Sequence, residues 1–220
     1  MESPTIKSFK LRGTRITSAQ LDARHRLWAT YGVDLTNQKI DLKELFGGRE
    51  KVVAEIGFGM GEATIAIAQS DPETGFLAID VHQPGIGKVL SVIEDSKIEN
   101  IRVMDEDVHL IFAKMIPNDS FDAVHLFFPD PWPKTRHHKR RIVNLSFINL
   151  VADKLKVGAH FNIATDWVHY AQSMQEVFAQ SDRFEGGVIR RPEWRPLTRF
   201  EGQGIRKDHE VTDLAYRKIK

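Results

Sequence analysis

The stretch Lys51-Val52-Val53-Ala54-Glu55-Ile56-Gly57-Phe58-Gly59-Met60-Gly61 decides the fold. Val52–Ile56 is an apolar run of strand length, broken only by Glu55, and it leads directly into a turn with glycine at every second position. A backbone that must come close to a ligand uses glycine there, because a side chain would stand in the way. In open α/β sheets ligands bind beyond the carboxyl ends of the strands. Gly57, Gly59 and Gly61 have that context, with a strand before them and a helical pattern after.

Outward from this turn, short apolar runs alternate with longer amphipathic ones, the pattern of a parallel sheet with crossover helices. Further strands are expected at Phe76–Val81, Ile101–Asp105, Phe121–Phe128 and His160–Thr165. Ile142, Leu145, Ile148, Val151 and Leu155 mark a core-facing helix, and a second helix is expected from Trp167 to Ala179. Val211–Ile219 reads as an antiparallel strand closing the sheet. The expected architecture is α/β and Rossmann-like: a mostly parallel sheet of about seven strands with an antiparallel C-terminal strand and helices on both faces. Residues 1–40 carry Lys7, Lys10, Arg12, Arg15, Arg24 and Arg26 among few periodic apolar positions, and read as a basic extension packed outside the sheet or ordered by a partner.

A chain of 220 residues suffices for one compact core. With no cysteine, disulfides, thiolate metal sites and cysteine nucleophiles are excluded. No run reaches the ~20 apolar residues of a membrane helix, and Met1-Glu2-Ser3-Pro4 does not open like a secretion signal. The expectation is a cytoplasmic protein without membrane attachment. No feature calls for an obligate protein partner, and a monomer or a homodimer would fit. Because 31 Lys and Arg against 30 Asp and Glu give a formal charge of +1, any polyanion must be bound by locally clustered cations.

The acids select the ligand of the glycine turn. Its spacing is Gly-x-Gly-x-Gly, not the dinucleotide Gly-x-Gly-x-x-Gly, and Glu55 just before it would repel a pyrophosphate. A zwitterionic sulfonium such as S-adenosyl-L-methionine suits that acid better. Asp80, at the end of the second strand, is placed to accept both ribose hydroxyls, and the pair Glu106 and Asp107 after the third could meet an adenine amino group. Taken singly, each acid could simply cap a helix; recurring at successive strand ends, they favour a ligand. A nicotinamide cofactor is the alternative.

The fourth strand ends in Phe127-Phe128-Pro129-Asp130-Pro131-Trp132-Pro133-Lys134. Prolines on both sides deny Asp130 a continuing strand or helix and hold its carboxylate at the strand exit. Thr135-Arg136-His137-His138-Lys139-Arg140-Arg141 follows, just ahead of the stripe at Ile142. Cations in the first turn of a helix oppose its macrodipole, so the run suggests a polyanion partner, with Arg and Lys meeting phosphates. His137 and His138 are not expected to bind a metal, since adjacent cations would repel the ion and no carboxylate stands at ligand spacing. Trp132, Phe127 and Trp194 are candidates to stack on a base.

Together these motifs resemble the bacterial tRNA (guanine-N7)-methyltransferases: the Glu-Ile-Gly-Phe-Gly-x-Gly turn at Glu55–Gly61, the Phe-Phe-Pro-Asp-Pro-Trp segment with its basic run at Phe127–Arg141, Ala-Thr-Asp-Trp at Ala164–Trp167, and Thr198–Glu201. The similarity extends from Ser8 to the end of the chain. The resemblance implies methyl transfer from S-adenosyl-L-methionine to N7 of a guanosine in tRNA, at position 46 of the variable loop, by a methyltransferase domain spanning 41–220. It implies that Glu55, Asp80, Asp107 and Asp130 line the cofactor site and that Asp130 is catalytic. It further implies that Lys134, Asp166, Thr198, Arg199, Phe200 and Glu201 contact the guanosine, and that Arg136, His137, His138, Lys139, Arg140 and Arg141 touch RNA. Asp80 stands where many members have Glu, and Arg199 where Lys is usual; both keep the charge, though Arg and Lys differ in geometry. A noncatalytic RNA-binding scaffold is the remaining rival, and the intact Glu55, Asp80 and Asp130 argue against it.

Overall fold

The computed structural model describes residues 8–9, 15–197, 201 and 210–220. Seven strands, β1 Lys51–Ile56, β2 Thr74–Ile79, β3 Ile101–Met104, β4 Phe121–Phe127, β5 Leu155–Thr165, β6 Phe184–Ile189 and β7 Thr212–Lys218, form one sheet in the order β3-β2-β1-β4-β5-β7-β6. β3 through β5 pair in parallel, while β7 runs antiparallel to both β5 and β6. The helices are α1 Ser18–Tyr31, α2 Leu42–Leu45, α3 Glu62–Ser70, α4 Gln83–Ser96, α5 Val108–Lys114, α6 Leu145–Lys154 and α7 Val168–Phe178. This is the Rossmann-like α/β architecture expected from the alternation, with its antiparallel C-terminal strand.

Burial explains why the strands read as runs and not as alternations. Val52, Ala54 and Ile56 pack with Leu77 and Ile79 under α5, α6 and α7, while Val53, Phe76 and Ala78 pack under α1, α3 and α4. A sheet covered on both faces needs apolar residues at consecutive positions. Aromatic contact seats the C-terminal strand: Phe178 of α7 stacks on Tyr216 of β7, with ring centroids 3.6 Å apart and planes 4° from parallel.

Three boundaries differ from the sequence reading. β2 stops at Ile79, not Val81, because the Asp80 carboxylate turns back to take hydrogen bonds from the amides of Gly59 and His82. β5 starts at Leu155, ahead of the expected His160, and passes through Gly158 at φ +86°, where the pairing with β4 shifts register and hides the strand pattern. The helix expected from Ile142 starts at Leu145, because the Asn144 side chain caps it by accepting from Phe147 N at 3.0 Å. Leu155 already belongs to β5. Thus the basic run does not lie in the first turn of that helix. It forms its own 3-10 turn, Thr135–Arg140, and the macrodipole argument does not apply to it.

Helix α1 lies on the face of α4. It opens with a capping box in which Gln20 N donates to Thr17 Oγ1 at 3.2 Å and Thr17 N donates to Gln20 Oε1 at 2.9 Å. Arg24 of α1 pairs with Asp105 at the end of β3, and Gly32 bridges to Val103 in parallel.

At the other end of β3, buried Asn100 holds the starts of β2 and β3 to the end of α3. Its Nδ2 donates to the carbonyls of Ala68, Asp71 and Thr74 at 2.9–3.0 Å. Asn100→Ala should lower the unfolding free energy by about 2 kcal/mol or more, since buried carbonyls lose their donor. A urea midpoint within error of wild type would show that water replaces the amide.

Candidate functional site

The turn after β1, the ends of β2, β3 and β4, and Ser8–Phe9 enclose a cavity of about 440 Å³, within the roughly 300–1,000 Å³ of small-molecule sites. Its walls bring together Glu55, Gly57, Gly59, Asp80, Asp107 and Asp130, all singled out from sequence. Gly61 sits just behind, as the N-cap of α3. Gly57, Gly59 and Gly61 have φ of +73°, +59° and +78°, a region that side chains resist. At Gly57 an added methyl group would meet nothing within 4 Å, so the turn presents bare backbone there.

Asp80 pins this turn. Its Oδ2 accepts from Gly59 N at 2.6 Å and its Oδ1 from His82 N at 2.9 Å. The sequence reading gave Asp80 a ligand to hold and missed this second duty. It also missed Gly85, in the first turn of α4, where a methyl group would lie 1.7 Å from Gly59 O. Only a glycine lets α4 lie against the turn, and the pair Gly85 and Gly87 inside a helical pattern was the available signal.

The cavity is built to receive positive charge. Glu55 is 2% exposed, and its Oε2 has no hydrogen-bond partner among the described residues. Burial pushes its carboxyl up to about 7, opposed by the neighbouring Thr64 hydroxyl and reinforced by the Asp80 carboxylate. Burial raises Asp80 as well, outweighing its two amide donors. Two carboxylates so placed bind either a proton or a cationic ligand. Asp107 both lines the cavity and caps α5, accepting from His109 N at 2.9 Å.

Asp130 stands at the exit of β4 on strained backbone. Phe128 and Trp132, on either side of Pro129-Asp130-Pro131, have φ of +53° and +45°, each costing on the order of 1–3 kcal/mol in a non-glycine residue. The surroundings hold them. Phe128 N donates to Ala164 O at 2.8 Å, Trp132 Nε1 to Ser8 O at 3.1 Å, and Arg141 Nε to Pro131 O at 3.0 Å. Asp166 follows the end of β5, the strand paired with β4, and is not among the cavity-lining residues.

The basic run divides. Lys134, Arg136, Lys139 and Arg140 are exposed, and Arg140 also covers the Trp132 ring at 4.9 Å. His137 and His138 are half-buried; desolvation, then the charges of Arg136, Arg140, Lys134 and Lys139, lower the pKa of His137. Arg141 is buried, over the Tyr170 ring at 4.6 Å, and faces the proline loop instead of the surface.

Thr198, Arg199 and Phe200 lie outside the described residues. Glu201 is described and buried, and both its carboxylate oxygens accept from Arg195, at 2.8 and 3.1 Å. Arg195 escaped the sequence reading because it is one of four arginines from Arg190 to Arg199, and burial separates it from the exposed Arg190 and Arg191. Beside it, Trp194 is 43% exposed and its ring lies 4.8 Å from that of His125, 20° from parallel. Burial lowers His125 to about 3, so the ring beneath Trp194 is neutral.

A doubly covered parallel sheet with a glycine turn, acids at successive strand ends and a ligand cavity beyond them defines the class of Rossmann-like methyltransferases. A family model described as "Putative methyltransferase" matches residues 49–214. The chain is 48% identical to the tRNA (guanine-N(7)-)-methyltransferase of Streptomyces avermitilis over 98% of its own length and 76% of the relative's. It is 45% identical to that of Neisseria meningitidis serogroup A, covering 98% and 92%. Among solved structures, an rRNA methylase from Streptococcus thermophilus shares the fold with a TM-score of 0.53 at 18% identity, over 78% of this chain and 89% of that one. The chain belongs to the tRNA (guanine-N7)-methyltransferase family.

Glu55 makes a pH test of the site. Its carboxyl lies at about 7 in the folded protein against 4.5 ordinarily, so folding takes up a proton between those values. That contribution is fully present below the lower value and is lost as pH rises to the upper. Between those two pH values the ligand-free protein should lose roughly 3 kcal/mol of stability relative to Glu55→Gln. Parallel urea-denaturation profiles for the two proteins would mean that Glu55 keeps its ordinary acidity in the folded protein.

Proposed function

We propose that this protein transfers the methyl group of S-adenosyl-L-methionine to N7 of a guanosine in tRNA. The observation that carries the reading is that Asp130 lines the glycine-turn cavity at one end of a proline-held segment whose other end is the cationic turn Thr135–Arg140. A carboxylate at a methyl-donor pocket, followed within a few residues by exposed phosphate-binding side chains, suits a base carried on a polyanion.

The residues fit the donor. Glu55, with an unpartnered buried oxygen, and Asp80 would face its positive groups and ribose, Gly57 and Gly59 would let it lie on bare backbone, and Asp107 would stand toward the adenine. When bound, S-adenosylmethionine supplies an electrophilic methyl on a cationic sulfur.

Guanine N7 already carries a free in-plane lone pair, so no proton need be removed before attack and no general base is required. What remains is alignment and charge. Asp130 accepts hydrogen bonds from the guanine N1 and N2 donors, which orients the ring, and its negative charge stabilises the purine as it becomes cationic. Asp166, just past the end of the neighbouring strand β5, assists. Lys134 and the Thr198–Glu201 segment hold the nucleoside, while Arg136, Lys139 and Arg140 meet the RNA backbone. With tRNA as substrate, the protein works in the cytoplasm.

Incubation with labelled S-adenosylmethionine and bulk tRNA, followed by nucleotide mapping, should find N7-methylguanosine at position 46; absence of incorporation would favour a scaffold that has lost the chemistry. Asp130→Ala should slow methyl transfer by roughly 100-fold or more with cofactor affinity nearly unchanged. If instead the affinity collapses, Asp130 belongs to cofactor binding alone. Replacing Lys139 and Arg140 together by Ala should weaken tRNA binding and flatten its log–log salt dependence by about 1.5–2; an unaltered slope would remove both residues from the phosphate contacts.

A further inference from the structure

Arg195 has no surface left: it is 0% exposed. Its guanidinium makes four hydrogen bonds to two carboxylates. Nη1 and Nη2 donate to Glu201 at 2.8 and 3.1 Å, while Nε and Nη2 donate to Asp213 of β7 at 2.6 and 2.9 Å. Its carbonyl in turn accepts from Arg191 Nε and Nη2 at 3.2 and 3.1 Å. The guanidinium carbon also lies 5.9 Å from the ring centre of Phe127 and 5.8 Å from that of Phe128, within the reach of a cation–π contact.

These contacts join parts of the site that are distant in sequence. Phe127 ends β4, and Phe128, held at φ +53°, leads through Pro129 into Asp130. Asp213 sits in β7 opposite Ala164 of β5, just before Thr165 and Asp166. Glu201 ends the segment that the proposed function assigns to the nucleoside.

We infer that Arg195 is a positioning residue for methyl transfer: through Glu201, Asp213 and the Phe127–Phe128 rings it sets the acceptor side of the site in register with Asp130. The inference rests on the functional reading above. It also gives Glu201 a different part, since both of its oxygens are engaged with Arg195, so it acts as an anchor of the acceptor segment. The planar fork makes four bonds to two carboxylates at once, and lysine, with three donors at one point on a flexible stem, cannot reproduce them.

Arg195→Lys keeps the charge and loses the fork, and Asp213→Asn keeps the shape and weakens the β7 anchor without touching a residue assigned to substrate. Single-turnover methyl transfer to tRNA, S-adenosylmethionine affinity and melting temperature would be measured for both, well below the melting point. Arg195→Lys should lower the transfer rate by about 10- to 100-fold, and Asp213→Asn should lower it less but in the same sense. Cofactor affinity should fall much less than the rate for both, because neither residue lines the cavity and Arg195 reaches it only through the Phe127 and Phe128 rings. A rate equal to wild type in Arg195→Lys overturns the inference, as does a fall in cofactor affinity in step with rate, which is the mark of general destabilisation. If Arg195→Lys does not melt cooperatively, Asp213→Asn decides, with an unchanged rate counting against the inference. A wild-type protein inert on tRNA sinks the functional reading; a variant as fast as an active wild type sinks the role of Arg195 alone.

Discussion

The hydrogen bond from Gly59 N to Asp80, at 2.6 Å, is the contact on which the site depends. It ties the turn after β1 to the end of β2, and with the His82 amide on the other oxygen it also fixes the start of α4. With Gly57 N on Ile79 O at 2.7 Å and Gly61 N on Phe58 O at 2.8 Å, it holds three alternate glycines at positive φ, where glycine has the most backbone freedom to lose. With it, α4 can close on the turn, at a separation that Gly85 alone permits. The carboxylate costs something where it stands, since burial raises its pKa and its charge adds to that of Glu55. Buried negative charge of this kind is relieved by a cationic ligand, which is what the proposed methyl donor on sulfur would provide.

The acceptor side is organised by a different device. There the backbone is strained at Phe128 and Trp132, and inward-facing arginines hold it. Arg141 grips the carbonyl of Pro131 and lies on Tyr170, while Arg195 is shared between Glu201, Asp213 and the phenylalanine rings. Arginine suits this work because its planar fork binds carboxylates and carbonyls while its face rests on aromatics. Strain of this kind persists only where neighbours over-determine it. The outcome is a backbone held on both sides of Asp130, which is what the alignment role proposed for its carboxylate requires.

The basic segment shows how one sequence run can serve two purposes. Lys134, Arg136, Lys139 and Arg140 face solvent, whereas Arg141 at its end is buried. The 3-10 turn separates the two groups by directing consecutive side chains around a tight axis. Exposed positive charge and internal support for the proline loop thus lie within a few residues of each other.

The sequence by itself determined the sheet, the glycine turn and the acids that line its cavity, because these rest on local rules: runs of strand length, glycine where backbone must be bare, and carboxylates at strand ends. Proline on both sides of Asp130 likewise announced a held carboxylate. Only the tertiary structure decided which side chains turn inward. Arg195 and Arg141 are chemically identical to the exposed arginines beside them, and their burial follows from partners 18 residues away at Asp213 and 10 residues away at Pro131. The same holds for the start of α6 at Asn144, the register shift near Gly158 and the pinning of the turn by Asp80. Each depends on which strand or loop folds back against it, and a pattern of neighbours along the chain does not carry that information.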